Sequence, residues 1–144
     1  MAYSNKFYPS NPQKYIGDPK NIISRSTWEY RVMSWLDKND DIVAWGSEEL
    51  IIPYISPIDS RQHRYFPDFI VKVKTKDNKS KTMVIEIKPD KETKEPKQKK
   101  RITEQYVREV TTWGVNQAKW KAATEYCLDR GWEFKVLTEK HLNF

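Results

Sequence analysis

Residues 65–88 read YFPDFIVKVKTKDNKSKTMVIEIK. In the first half Phe69, Val71 and Val73 alternate with Ile70, Lys72 and Lys74. In the second, Met83, Ile85 and Ile87 alternate with Thr82, Val84, Glu86 and Lys88. Period-two alternation of β-branched and aromatic residues marks strands, and TKDNKS at 75–80 between them is rich in turn formers. The stretch therefore reads as a β-hairpin. One strand begins at Pro67-Asp68, and the other carries Glu86-Ile87-Lys88. Two positions apart on one strand, Glu86 and Lys88 share a face and stand about 7 Å apart along it. Both side chains can reach one bound group.

Before the hairpin, Ser26-Thr27-Trp28-Glu29 fits a capping box, with Ser26 as N-cap and Glu29 three positions on. Trp28, Val32, Trp35 and Leu36 follow at helical spacing, so a helix is expected over residues 26–39 with one apolar stripe. Glu29 then has a sufficient structural role as a cap and as a carboxylate at the positive end of the helix dipole. Residues 42–45 form a short strand or an extended link. Residues 49–55 (ELIIPYI) read as a strand, with Pro53 marking an edge or a bulge. Residues 1–24, with Pro9, Pro12, Gly17 and Pro19 among lysines and tyrosines, read as an irregular basic arm preceding a single domain over 25–144. The arm either lies over the surface or touches DNA or a protein partner.

After the hairpin comes PDKETKEPKQKKR, residues 89–101. Pro96 interrupts any helix there, so the segment reads as a charged loop, either a solvated linker or a phosphate-binding flap. Two helices are expected next. A short one carries Ile102, Tyr106 and Val110, and a second, starting near Thr112 or Asn116, runs to Gly131 as its stop. Residues 132–137 (WEFKVL) are the last strand, followed by a short polar tail. Helix, strand, hairpin, helix and strand together make an α/β chain with a mixed β-sheet flanked by helices.

Composition narrows the partners. The 144 residues carry a formal net charge of +6 and a pI near 9.3, which favours phosphate-bearing partners. Cys127 is the only cysteine, so no intrachain disulfide forms, in keeping with a reducing compartment. It reads as a packed thiol. No apolar run approaches the ~20 residues of a membrane span, and the N-terminal residues lack the apolar core of a signal peptide. A soluble, intracellular chain is expected.

Asp68, followed by Glu86-Ile87-Lys88, resembles the motif of the PD-(D/E)xK nuclease superfamily, whose fold is restriction-endonuclease-like. The chemistry explains the residue types. Carboxylates hold Mg2+ by hard oxygen ligands, with Mn2+ as a substitute. The metal acidifies a water and offsets charge at the phosphate, and a neighbouring lysine orients that water and stabilises developing charge. Taken singly, Asp68 could be a turn residue, and Glu86 with Lys88 a surface ion pair of little worth. The two strands are otherwise strongly apolar, which favours a metal site.

A longer resemblance covers KYIGDPKNI (14–22), SRSTWE (24–29), VAWGSEELIIPY (43–54), HRYFPDF (63–69) and EIKP (86–89). It is similar to the head-completion nucleases of T-even-type tailed bacteriophages, and also to TnsA-like transposition endonucleases. It implies a metal-dependent endonuclease of double-stranded DNA that acts on the filled phage head at or near the portal, before tail attachment. The host cytoplasm during assembly, then the virion head or neck, are the implied locations, and portal or head proteins the implied partners. Glu29, Asp68, Glu86 and Lys88 would be the catalytic set, with Asp68, Glu86 and Glu29 as metal ligands. Gln117, on the second long helix, is a weaker catalytic candidate; as a plain helix residue it would face solvent. Arg64, Lys97, Lys99, Lys100 and Arg101 are candidates for phosphate contacts, which position DNA without reading sequence. His63 reads as a surface or capping histidine. Two other functions stay open: a structural DNA-end-binding head protein on a nuclease fold with no required catalysis, and a transposon or repair nuclease unrelated to virions.

Overall fold

In the computed structural model, residues 4–142 are described. The hairpin lies at the centre of a four-stranded sheet. Strand β6 (Phe69–Lys74) pairs antiparallel with β7 (Ser80–Ile87), in a register that sets Phe69 opposite Ile85 and Val71 opposite Met83. Strand β3 (Ile42–Ser47) flanks β6 antiparallel, with an irregularity between Ile42 and Ala44. Strand β8 (Glu133–Leu137) flanks β7 in parallel. The order is β3-β6-β7-β8, a mixed sheet as the element order implies. The parallel pair needs a crossover between its strands, and helix α2 (Glu104–Asp129) supplies it.

Alternation along the hairpin sorts its side chains into two layers. Phe69, Val71 and Ile85, with Met83 and Ile87, pack into a core with Val32, Met33 and Leu36 of α1 (Thr27–Lys38) around the fully buried Trp45. The opposite face carries Val84 and Glu86. On that side α2 packs with a second hairpin, β4 (Ile52–Ile55) paired antiparallel with β5 (Gln62–Tyr65). That core contains Ile52, Tyr54, Tyr65 and Ala123. Sequence patterning misses β5, because QHRY carries no apolar alternation; Pro53 lies in the two-stranded edge ribbon, where its missing donor is tolerated.

Helix α1 begins as its sequence dictates. The Ser26 hydroxyl accepts the Glu29 N–H at 3.1 Å, half of the expected capping box. Its apolar stripe differs by one residue. Met33 rather than Trp35 completes the buried face, and Trp35 is 57 % exposed.

Residues 1–24 depart from the expected irregular arm. Strands β1 (Asn5–Phe7) and β2 (Ile22–Ser24) form an antiparallel ribbon, and a 3-10 turn covers Pro12–Lys14. Phe7, Tyr15 and Ile22 are buried in the α1 core, where Phe7 and Tyr15 meet Trp45 edge to face at 5.8 and 4.8 Å. The segment carries three large apolar anchors, and burying them outweighs the turn bias of its prolines. It is also fastened to the C-terminal end of α1. Buried Asp37 accepts the Ser10 and Asn11 N–H groups at 2.8 and 3.0 Å. The Lys14 ammonium donates to the carbonyls of Leu36, Asp37 and Asn39 at 2.8–2.9 Å, a cation at the negative end of the helix dipole.

Residues 102–130 also differ. One helix of 26 residues replaces the expected two, capped by the Thr103 hydroxyl. Gly114 lies inside it. The helix continues through Gly114 because its second half is buried against β4, β7 and β8, and such packing outweighs a glycine cost of about 1 kcal/mol. Gly131 follows at φ 71°, as a C-terminal stop requires. Cys127 is buried, a packed thiol. The polar tail contains a short helix α3 (Glu139–Leu142); residues 1–3 of the arm and 143–144 of the tail lie outside the described residues. Among the described residues no helix is long and apolar enough to cross a membrane.

Asp37→Ala removes the acceptor of two part-buried N–H groups, so it should cost about 2–4 kcal/mol of stability. Denaturant unfolding measures the loss, and limited proteolysis of the folded variant should show earlier cleavage between residues 8 and 20.

Candidate active site

The hairpin register places its two carboxylates face to face. One step beyond the Phe69–Ile85 pair, Asp68 lies opposite Glu86. The Asp68 N–H donates to Glu86 Oε2 at 3.3 Å, and the Ile87 N–H donates to Asp68 Oδ2 at 2.8 Å. Each acid is thus held by the strand of the other. Glu86 is 7 % exposed, which for a carboxylate demands partners. Tyr65, at the end of β5, donates its hydroxyl to Glu86 Oε2 at 2.7 Å. Lys88 Nζ stands 3.9 Å from Glu86 Oε1, and Lys88 itself is pinned by its N–H to the Leu137 carbonyl at 3.0 Å. From α2, Lys119 places its ammonium 5.6 Å from the Tyr65 ring and lends its positive charge to Glu86.

The electrostatics follow from this geometry. Burial pushes the Asp68 carboxyl well above the ordinary carboxylate range, and the negative charge of Glu86 raises it further; the Ile87 N–H and Lys88 oppose the shift. Burial likewise raises Glu86, against the pull of Tyr65 and Lys88. Tyr65 is raised by its own burial and by Glu86, so it stays a neutral donor. The pair therefore binds a proton unless a cation takes its place.

Glu29 sits on a different wall. With Ser26, Thr27 and Trp28 of α1 it faces Ile87, Lys88 and Glu92 across a cleft of about 530 Å³. Its Oε2 lies 3.4 Å from the Ser26 hydroxyl, while its Oε1 is buried without a hydrogen-bond partner. Burial raises its carboxyl, and so does the charge of Glu48, whose own carboxylate pairs with Arg25 at 2.9 Å. Glu48 adopts φ 55° and donates its N–H to the Asp68 carbonyl at 3.2 Å, which ties β3 to the site.

The residue types suit a hard cation. In each of the three acids the hydrogen bonds described above fall on one oxygen; of the others, Glu86 Oε1 faces the Lys88 ammonium and Glu29 Oε1 has no hydrogen-bond partner. Among the described residues, no three His, Cys, Asp or Glu side chains converge into a ligand set. Asp68 and Glu86 come together, and Glu29 reaches Asp68 only through its charge. Two carboxylates with water and phosphate oxygens are a donor set Mg2+ accepts.

The remaining expected residues scatter. Lys97, Lys99, Lys100 and Arg101 are exposed on the segment between β7 and α2. Arg64 is exposed on β5, its guanidinium 5.8 Å from the Phe66 ring. Gln117 is half-buried on α2, two residues before Lys119. His63 pairs with Asp59 at 2.8 Å, away from the carboxylates. Sequence reasoning does not single out Tyr65 or Lys119. The only signal for Tyr65 is that a tyrosine placed beside a buried acid has a hydroxyl to satisfy; for Lys119 there is none.

The raised carboxyls make a stability prediction. The folded, metal-free pair holds a proton that the unfolded chain releases, so this contribution is full below the ordinary carboxylate range and is lost as pH rises through the folded value. Melting of metal-free protein should show stability falling from about pH 5 to pH 9. Asp68→Asn should flatten that slope and raise Tm at the alkaline end by roughly 4 °C, for about 1 kcal/mol.

Comparison with known proteins identifies the family. Residues 39–139, which span β3 to the start of α3 and include Asp68, Glu86 and Lys88, match the family described as TnsA-like endonuclease N terminal. The chain is 44 % identical over 146 residues to the head completion nuclease of Enterobacteria phage T4, covering 99 % of this chain and 95 % of that protein. No solved structure matches. With its mixed sheet between helical layers, a restriction-endonuclease-like α/β fold, the chain belongs to the family of TnsA-like endonuclease N-terminal domains.

Proposed function

We propose that the chain is a Mg2+-dependent endonuclease of double-stranded DNA, with Mn2+ able to substitute, acting in phage head completion after DNA packaging. The observation that carries this reading is the pairing of half-buried Asp68 with buried Glu86, with Lys88 beside them. Nothing in the packing of β6 and β7 needs two acids there, and an apolar pair would suit a buried strand end better. The similarity to the T4 head completion nuclease supports the biological setting. In that setting the chain processes DNA ends near the portal, with head or portal proteins as partners. It works in the host cytoplasm during assembly and then in the virion head or neck.

Asp68 and Glu86 would hold the cation. When bound there, it supplies positive charge that offsets the phosphate and acidifies water. The chain's own groups do the rest. Tyr65 and the Asp68 N–H fix Glu86 Oε2, which leaves Oε1 turned toward Lys88. The Lys88 ammonium, anchored through its backbone to β8, can hold a phosphate oxygen and stabilise the charge that builds on it. Glu29, raised by burial, can keep or take a proton at Oε1 on the facing wall. Arg64 and the basic residues 97–101 position the backbone of the DNA without reading sequence.

Cleavage of linear duplex DNA in Mg2+ should fall roughly 1,000-fold or more in Asp68→Ala and Glu86→Ala, and about 100-fold in Lys88→Ala, with all three folded by circular dichroism. Undiminished cleavage by Asp68→Ala would sink the site assignment. In parallel, phage lacking the wild-type gene should not yield infectious particles when supplied with Asp68→Ala. Full rescue would show that the chain holds DNA ends in the head without having to cut them.

A further inference from the structure

Beside the catalytic cleft lies a second and larger cavity, about 600 Å³, between the segment that follows β7 and the first half of α2. The two adjoin at Glu92, which lines both. One wall carries Lys91 and Lys94, and the other Arg108. Pro96 forms the rim, and the exposed run Lys97, Lys99, Lys100 and Arg101 continues directly from it. Trp113 and the buried Asn116 line it from α2. The Trp113 indole N–H is buried and has no hydrogen-bond partner. The cavity also contains two acids, Glu92 and Glu109. Gln105 donates to Glu109 at 3.2 Å, and the lysines and arginines of the walls and rim outnumber both.

From this combination we infer that the cavity is a groove for an unpaired strand of DNA, leading an overhang or frayed end from the basic loop past Glu92 to Lys88. The inference rests on the nuclease reading and names the kind of DNA end the site takes. Its size suits about one or two nucleotides. In intact duplex the base faces are stacked, so a tryptophan within a groove meets a base only where the strand is unpaired. Cations on both walls follow a backbone. A groove of this kind is sequence-tolerant, because every base has a face to stack.

The test is fluorescence anisotropy in EDTA, so that binding is read without cleavage, with blunt duplex and the same duplex carrying a short overhang. Wild type should bind the overhang about tenfold more tightly. Arg108→Ala and Trp113→Leu should remove that advantage and leave blunt binding within about twofold. Arg108 is exposed, so Arg108→Ala carries the test even if Trp113→Leu unfolds. Equal binding of the two DNAs by wild type, or equal loss on both DNAs in the variants, would overturn the groove. Cleavage of blunt duplex in Mg2+ is measured alongside. Its absence in wild type contradicts the nuclease reading and leaves an observed overhang preference standing, whereas cleavage without overhang preference contradicts the groove alone.

Discussion

Two carboxylates held side by side in a protein interior repel each other. For unit charges about 4 Å apart the repulsion is roughly 4 kcal/mol at an effective dielectric of about 20, a large share of the ~5–15 kcal/mol that stabilises an ordinary domain. The register of β6 and β7 sets Asp68 opposite Glu86, and their neighbours are arranged around the consequence. The Asp68 and Ile87 N–H groups and the Tyr65 hydroxyl satisfy one oxygen of each acid. Lys88 and Lys119 supply positive charge to Glu86. What they leave unbalanced, a proton or a divalent cation must balance.

The layers around the sheet serve the same end. Helix α1 brings its capped N-terminus, and with it Glu29, to the cleft wall opposite Lys88. That helix is held in place by the N-terminal segment, through Asp37 and Lys14 at one end and the Trp45 aromatic cluster along its length. On the other face, α2 crosses from β7 to β8, carrying Lys119 near Tyr65 at one level and Trp113 along a basic groove at another. A chain of modest apolar content achieves this with a few large rings, each of which buries much surface for little chain length.

How legible this was depended on range. The hairpin could be read because strand alternation and turn chemistry are local, and Asp68, Glu86 and Lys88 came with it. The Ser26 cap was read for the same reason. The ribbon over residues 1–24 was not, because its strands are three residues each and form through the burial of Phe7, Tyr15 and Ile22 against a helix that follows them. Residues 102–130 suggested two helices, with the second starting near Thr112 or Asn116, whereas tertiary packing carries α2 through as one. Strand β5 is nearly all polar, and with it Tyr65 was lost; Lys119 meets Glu86 only because two elements far apart in sequence pack together. The basic run 97–101 was visible as charge, but the cavity beside it is a property of the fold.

The property of the Asp68–Glu86 pair that matters most is whether it exchanges a proton for a metal. Calorimetric titration of Mn2+ into metal-free protein near neutral pH, in buffers of different ionisation enthalpy, measures both events at once. Wild type should bind Mn2+ and release about one proton, and Glu86→Ala, folded, should do neither. Equal Mn2+ binding by the two proteins, or binding by wild type with no proton released, would contradict the account.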